Sequence, residues 1–590
     1  MNKYYNLNKT KEVNTKEGLK LLIRHFKPYI FSLIIIILSL IVVNILGTIL
    51  VPILARQAID QNILNKDLHG LLITLLYIFI LLLFTTIGHY IRVRSTGSLS
   101  QKVLFNIRQE VFKKIQTLPT QFISDNKTGD LIQRLTGNVE ALNSFFSEGF
   151  VRICSMAFAL IGILVAMYIL DWRIATISLI TTIITLLFLS FQGKFLEKPI
   201  KISLEKEGLV SAKVQESMDG FISIRSSNQQ KNWSKQFEKL TKQYYKISKK
   251  VAAISSTADT FLAMITVLTV GGTLIYALNL MSLGQISLGT VILANLYSQQ
   301  IFRNLDRVSY IWRNIKTGLE AASRLDKILE LKSNIKNPKD PYSTDQIEGK
   351  VEFIDVDFGY NGDDIVLKDV NFTAYPGKTI AVVGPTGGGK TTFVNLIARL
   401  YDAKNGQITV DDVNVKKWDL GTLRESIGYL IQDTFLFEDT ILNNLKYDNP
   451  KVTEKDALDM FKFLGVESFI KSQPKGLNTE IDSDGTGISS GQRQIIALAR
   501  ILLRDPKILI LDEATARIDT KSEKLLQMAI EKAAEGKTTF VIAHRLSTIF
   551  NANHIILIKN NTILEQGNHG ELIAKKGFYY EMYSKFVGSR

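Results

Sequence analysis

The spacing of charge along the chain limits its fold more than any other feature. Lys27 and Arg56 bracket 28 residues without a formal charge, Asp67 and Arg92 bracket 24, Arg152 and Asp171 bracket 18, Arg173 and Lys194 bracket 20, and Asp259 and Arg303 bracket 43. A membrane-crossing helix needs about 20 mostly apolar residues, and the longest run holds two. The pattern predicts six spans, at about residues 29–55, 68–91, 153–170, 174–193, 260–280 and 287–310.

The formal charge of the 590-residue chain is +15, which on its own admits an anionic partner such as nucleic acid or lipid. Its distribution decides between them. Residues 1–348 carry 41 basic and 24 acidic side chains, net +17, whereas residues 349–590 carry 30 and 32, net −2. With the N-terminus inside, the outer connections hold Arg56, Asp60, Lys66 and Asp67, then Asp171 and Arg173, then no charge around Gly284, so they are neutral overall. The inner segments are basic, from Lys9, Lys11, Lys16 and Lys20 at the start to Lys194, Lys198, Lys201, Lys231, Lys235, Lys239, Lys249 and Lys250 between spans four and five. The positive-inside rule therefore places both termini in the cytoplasm. Nucleic acid is not an expected partner; membrane lipid is. One cysteine, Cys154, excludes an internal disulfide framework.

No cleavable signal peptide is expected, since the first 28 residues are polar and the apolar run after them is too long for an h-region. Leu19, Leu22, Ile23 and Phe26 fall on one helical face, suited either to the inner membrane surface or to packing on the protein itself. The two long inner connections read as helix at 103–116 and 204–220, so the membrane helices are expected to continue into the cytoplasm, with tips at 118–130 and 219–230. Residues 334–350, with Pro338 and Pro341, are polar and aperiodic and read as a linker. The resulting division is a membrane domain at 1–330, a linker at 331–348 and a second domain at 349–590.

In that second domain short apolar strands alternate with helices, the pattern of an α/β fold with a mostly parallel sheet. Residues 378–384 form an apolar strand that runs into Gly384, Pro385, Thr386, Gly387, Gly388, Gly389, Lys390, Thr391 and Thr392, and a helix follows. Glycines at these positions let backbone N–H groups wrap phosphates, Lys390 neutralises the β/γ oxygens, and the Thr391 hydroxyl suits Mg²⁺. At average residue usage this P-loop pattern arises by chance roughly 0.02 times in a chain of this length. A second apolar strand ends in Asp512, placed to hold the metal's water shell, and Glu513, placed as a base for attacking water. A third strand, 538–544, delivers His544 to the same edge, where it can orient the γ-phosphate. An Asp-Glu pair or a lone histidine is usually structural; beside a P-loop the functional reading takes over.

With these motifs in place, residues 351–590 resemble the nucleotide-binding domain of an ABC transporter, and residues 1–330 resemble the six-helix membrane domain of its exporter branch. The resemblance implies further roles. Tyr360 stands where the family stacks adenine, Gln432 stands at the Q-loop glutamine that ligates Mg²⁺, and Ser489, Ser490, Gly491 and Gln492 lie in ISSGQ, where the family has its LSGGQ signature. The tips at 118–130 and 219–230 match the family's coupling helices. The family sandwiches two ATP molecules between two such domains, so the signature faces the partner's ATP and the chain needs a second half-transporter. A helix N-terminus at Ser489 fits that role by aiming N–H groups at phosphate.

Three departures fall on the side that faces the partner's ATP: Ser490 for the first signature glycine, Ser483 at the X-loop glutamate, and Ala516-Arg517 for the D-loop Ser-Ala, with Asp519 kept. The chain's own ATP-holding residues Lys390, Asp512, Glu513 and His544 are intact. The resemblance therefore implies one subunit of an asymmetric heterodimer, with a homodimer that tolerates the altered signature as the alternative. The expected activity is export of a hydrophobic or amphipathic small molecule, driven by hydrolysis of ATP with Mg²⁺, across a bacterial plasma membrane. An ATP-gated regulator or channel, and a homodimeric exporter of lipid or peptide, are the rival readings. Polar points on span six, at Asn295, Tyr297, Gln299 and Gln300, suit a cargo cavity or contacts between helices equally.

Overall fold

The computed structural model describes residues 15–126, 128–305, 308–360, 364–431, 434–447, 449–482, 488–512, 520–543 and 549–588. The chain begins with α1 (Thr15–Phe26). Span 1 follows as α2 (Ile30–Val43), a π-helical stretch (Asn44–Leu50), α3 (Val51–Gln57) and a second π-helical stretch (Ala58–Ile63). Next come α4 (Leu68–Gln116), α5 (Thr120–Asp125), α6 (Thr128–Ser144), α7 (Val151–Leu170), α8 (Trp172–Asp219), α9 (Phe221–Ser226), α10 (Gln230–Ser282), α11 (Leu288–Leu305) and α12 (Val308–Glu330). The chain divides into two units. One holds these helices except α5, and the other holds α5 together with the chain from Leu331 onward.

In the helical unit, α4, α8 and α10 are unbroken over 49, 48 and 53 residues. At 1.5 Å per residue each is about 70–80 Å long, more than twice the thickness of a bilayer's hydrocarbon core. Asp171 starts α8 by accepting hydrogen bonds from the Arg173 and Ile174 N–H groups. Large apolar side chains such as Leu72, Leu76, Phe79 and Leu83 stand exposed along α4, the surface of a helix meant for lipid. Five helices among the described residues are long and apolar enough to cross a membrane. The expected sixth, α11, is an 18-residue helix. Asn295, Gln299, Gln300 and Asn304 lower its hydropathy, and it is not among the five.

The face of α1 differs from the simple expectation. Leu21 and Leu22 are buried, and Gly18 lets the helix close on the Leu319 carbonyl and Ser323 of α12, where a Cβ would find no room. Leu19 and Ile23 point outward. One face of α1 is thus a protein contact, and another apolar edge is left for the surroundings.

The second unit contains strands β1 (Val351–Phe358), β2 (Leu367–Ala374), β3 (Thr379–Val383), β4 (Asn405–Val410), β5 (Val413–Asn414), β6 (Ile427–Leu430), β7 (Asp439–Thr440), β8 (Glu480–Ile481), β9 (Ile508–Asp512), β10 (Thr538–Ile542), β11 (His554–Lys559) and β12 (Thr562–Gly567). They form an antiparallel sheet of order β2-β1-β4-β5, a six-stranded sheet of order β12-β11-β3-β10-β9-β6, and the small pair β7-β8. From β11 to β6 neighbouring strands are parallel. Strands buried on both faces read as continuous apolar runs, and Ile508–Leu511 and Thr538–Ile542 are buried throughout. The core between the two sheets includes Phe353 stacked on Phe393 with centroids 4.2 Å apart.

The linker segment is fastened to this unit. The Tyr342 N–H donates to the Lys417 carbonyl and the Asp419 N–H to the Tyr342 carbonyl, both at 2.8 Å. The Tyr342 ring packs edge-on against the fully buried Trp418 at 4.9 Å, and the Asn337 amide donates to Asp419 at 2.8 Å. Polar composition marked the segment as irregular, but it holds no information about where such a segment docks.

Candidate active site

Parallel strands deliver their carboxyl ends to one edge of the sheet, the place where open α/β sheets bind ligands. In register, Val382 of β3, Ile542 of β10 and Asp512 of β9 lie side by side, with Leu430 of β6 opposite Leu511. The chain therefore leaves the sheet at this edge four times: into Gly384, past Leu430, at Asp512 and past Ile542.

After β3 the backbone turns through Gly384, Gly387 and Gly389, with φ of +147°, +79° and +99°. L side chains rarely adopt these values. At Gly384 a Cβ would also strike the Ile558 carbonyl, so the loop's close return over β11 depends on glycine there. Gly389 immediately precedes α13 (Lys390–Ile397), whose first turn carries unpaired N–H groups and the positive end of the helix dipole. Pro385, Thr386 and Gly387 are exposed at the rim, and so is Thr391.

Lys390 is folded back into this loop. Its Nζ donates to the Gly384 and Pro385 carbonyls, both at 2.9 Å, and the residue is buried. Burial pushes its pKa down from the usual lysine range, and the charge of Asp512 works in the opposite direction. Asp512, at the end of β9, is thus electrostatically linked to Lys390.

Tyr360 is half-buried, with its hydroxyl 2.9 Å from Thr392 Oγ1 on α13. Its ring meets Phe358 and Tyr401 edge-on, each with centroids 5.1 Å apart. α5 belongs to the same unit, and Gln121 Nε2 donates to the Tyr360 carbonyl at 3.1 Å. Ser124 of α5 hydrogen-bonds Tyr401, whose hydroxyl pKa is nonetheless raised, chiefly by burial. Tyr360, the residue expected beside adenine, and its neighbour Tyr401 are thereby held from α5 as well as from the loop after β1.

Tyr429 was not singled out from the sequence. It lies on β6, donates to Asn395 Oδ1 on α13 at 2.7 Å, and has its pKa pushed up first by burial and then by the Asp512 charge. The signal that went unread is a tyrosine in an otherwise apolar strand that precedes the Gln432 loop.

At ISSGQ, Ser489 is the N-cap of the helix Ser490–Leu502. Its side chain accepts from the Gln492 N–H at 3.2 Å, and the Gln492 side chain accepts from the Ser489 N–H at 2.9 Å. This reciprocal capping box follows the S-x-x-Q pattern. Two residues assigned to a partner's phosphate thus also have a local task, which is to fix the start of the helix. Ser490 takes the first helical position, and Gly491 is buried.

Glu513, His544 and Gln432 lie outside the described residues, as do Ser483, Ala516, Arg517 and Asp519. Their strands are described, and each of the three site residues follows within two positions of the end of β9, β10 or β6. What the described edge can do is hold polyphosphate: glycines give a concave run of backbone, a helix begins at it, and one buried ammonium sits within it.

Two family models match the chain, one described as the ABC transporter transmembrane region over residues 34–305 and one described as ABC transporter over residues 367–516. The chain is similar to a probable multidrug resistance ABC transporter ATP-binding/permease protein, YheH, of Bacillus subtilis (strain 168), at 33% identity over 85% of this chain and 74% of that protein. It is also similar to an ATP-dependent lipid A-core flippase of Wigglesworthia glossinidia brevipalpis, at 33% identity over 82% of this chain and 83% of that protein. Among solved structures, a bacterial Atm1-family ABC exporter with ATP bound matches with a TM-score of 0.81 at 22% identity, covering 95% of this chain and 98% of that one, a likeness of fold.

Proposed function

Because the chain belongs to the ABC transporter family, with membrane and ATPase regions fused, we propose that it is one half of an exporter that moves a hydrophobic or amphipathic compound, drug-like or lipid-like, out across a bacterial plasma membrane. The observation that carries this reading is the phosphate-binding edge around Lys390 on the same chain as five lipid-suited helices. We take α11 as a sixth span whose polar residues face other helices or cargo. The proposed boundaries remain 1–330 for the membrane domain, 331–348 for the linker and 349–590 for the ATPase domain, with both termini inside on the strength of the basic inner segments.

The ATPase chemistry is hydrolysis of ATP to ADP and phosphate. The glycine-rich loop from Gly384 to Gly389 and Thr392 would hold the phosphates, Lys390 would exchange its loop carbonyls for phosphate oxygens, and Tyr360 would stack on adenine. The exposed Thr391 hydroxyl, Gln432 and, through water, Asp512 are the residues that suit Mg²⁺. When bound, the metal would supply positive charge to the phosphate oxygens. Glu513 would take the proton from the attacking water, and His544 would orient the γ-phosphate.

The altered Ser483, Ser490 and Ala516-Arg517 beside intact Lys390, Asp512, Glu513 and His544 support a heterodimer. Its other half would carry an unaltered signature and a weakened catalytic carboxylate. The relatives named for drug and lipid cargo support an amphipathic substrate. The test of partnership is to express the chain alone: the heterodimer reading expects little turnover from the lone chain, and full, transport-coupled ATPase in a purified homodimer contradicts it. The test of function is ATP-driven accumulation of a fluorescent amphipathic compound in inverted vesicles, which separates a pump from an ATP-gated channel.

A further inference from the structure

β6 reads Ile-Gly-Tyr-Leu, and Tyr429 brings a hydroxyl into a strand whose other residues are buried and apolar. Phenylalanine would fill the same space, so packing alone does not call for the oxygen. Moving a hydroxyl out of water costs free energy unless it finds a partner. Here the partner is Asn395 Oδ1 on α13, which accepts from the Tyr429 hydroxyl at 2.7 Å.

The place of that bond in the fold is specific. Asn395 comes four residues after Thr391, so the two lie one above the other on the same face of α13. On β6, Ile427 and Tyr429 face the core that contains Phe393 and Ile397 of α13, whereas Leu430 belongs to the core on the other side of the sheet. β9 pairs Ile510 with Tyr429, and Ile508 and Ile510 line the same core as the tyrosine. Strand alternation places Asp512 next in that row, and its charge is felt at Tyr429. The hydrogen bond therefore runs from the sheet edge that bears Asp512 to the helix that bears Thr391, one turn below the threonine. α13 is held a second time from the loop after β1, where the Tyr360 hydroxyl meets Thr392 Oγ1 at 2.9 Å.

Phosphate and metal depend on this arrangement to different degrees. The groups that suit phosphate lie in one continuous segment, residues 384–392, and move together; Lys390 is tied to the Gly384 and Pro385 carbonyls of that same segment. The groups that suit Mg²⁺ are divided, with Thr391 on α13 and Asp512 on β9. Mg²⁺ demands near-octahedral geometry at about 2.0–2.1 Å. A small displacement of α13 from the sheet edge is therefore tolerated by the nucleotide and penalised at the metal.

Resting on the ATPase reading above, we propose that Tyr429 is a positioning residue for the metal: its hydroxyl, bonded to Asn395, fixes α13 against the sheet edge at the separation that lets Thr391 and, through water, Asp512 serve one Mg²⁺. Tyr429 acts through Asn395 and the helix, not by ligation. Its loss loosens the metal and leaves the hold of the loop on phosphate as it was.

The test uses the full-length chain with its partner subunit in membranes, on a Glu513→Gln background so that nucleotide is not consumed. Photoreactive azido-ATP labels each subunit, and the subunits separate on a gel, so the affinity of this chain's own site is read with excess Mg²⁺ and again in EDTA. In the reference protein Mg²⁺ should strengthen labelling. Tyr429→Phe should leave the affinity in EDTA as in the reference and weaken the affinity with Mg²⁺ about fivefold, the factor for one neutral hydrogen bond. Asn395→Ala should do the same, and the double variant should lose no more than either alone, as for two partners in one interaction. Equal weakening with Mg²⁺ and in EDTA would assign the hydroxyl to folding alone, no change in either would deny it a role, and additive losses would separate it from Asn395. Each of these overturns the proposal and leaves the ATPase reading standing. A reference protein that labels equally with Mg²⁺ and in EDTA, or does not label, overturns the ATPase reading together with the proposal.

Discussion

Lys390 Nζ donates to the Gly384 carbonyl at 2.9 Å, so the ammonium that would neutralise phosphate is already held by the loop that would wrap it. Burial lowers its pKa, with Asp512 opposing. A lysine with a depressed folded-state pKa destabilises the fold while charged, so this contribution to stability becomes more favourable as pH rises through the folded pKa towards the unfolded one. Phosphate binding needs the charged form and runs the other way. ATP affinity should weaken as pH rises towards the ordinary lysine range, beginning below it. Lys390→Arg keeps its charge and should bind more weakly at neutral pH with a flatter profile. Fluorescent ATP-analogue titrations across that range check both; equal slopes for the two proteins would remove Lys390 as the source.

The Tyr360 hydroxyl 2.9 Å from Thr392 Oγ1 separates two roles of one side chain. Tyr360→Phe keeps the ring and loses a hydrogen bond worth about 1 kcal/mol, a change of roughly fivefold or less in ATP affinity. Tyr360→Ala also loses the stacking surface and should weaken binding by a further factor of about ten, given about 1–3 kcal/mol for stacking a base on an aromatic ring. Equal losses in the two variants would assign Tyr360 to loop structure alone.

At the signature, Ser489→Ala removes one arm of the capping box and should cost about 1 kcal/mol of local helix stability. Amide exchange over residues 490–496 should then accelerate about fivefold. Ser490→Gly leaves both arms of the box in place and should raise hydrolysis at the site opposite, where the serine Cβ limits close approach. An Ser489→Ala protein whose amide exchange matches wild type would show that the box contributes nothing.

Glu513→Gln keeps the size of the side chain and deletes the base. Turnover should fall by at least about a hundredfold, within the range typical of a lost general base, while ATP binding stays near wild type. Steady-state phosphate release and equilibrium binding read the two separately, and wild-type turnover in the variant would refute the role.

Much of this molecule was legible where the cause is local. The P-loop is written in three glycines whose φ values demand them, and β9 and β10 in runs of residues buried on both faces. Asp512 could be placed because a parallel strand of known length ends at it. What escaped notice depends on distant partners. Gln121 meets Tyr360 across 239 residues of sequence, and Tyr342, in a segment whose composition reads only as linker, finds Trp418 beyond β5. Span 1 reads as one uniform apolar run, yet it holds two π-helical stretches whose hydrogen-bonded partners, Tyr297, Ser287 and Gly289, lie more than 200 residues away. The sixth span expected from charge spacing is not among the five apolar helices, because Asn295, Gln299, Gln300 and Asn304 dilute the hydropathy of α11.

ATP-driven transport is tested most directly in inverted membrane vesicles containing the chain and its partner subunit, by following uptake of a fluorescent amphipathic compound. Wild-type vesicles given ATP and Mg²⁺ should accumulate the compound above its external concentration. Vesicles bearing Glu513→Gln, and wild-type vesicles given a non-hydrolysable analogue, should only equilibrate. Equal accumulation in all three, or equilibration in wild type at full ATPase activity, would contradict a pump driven by hydrolysis at this site.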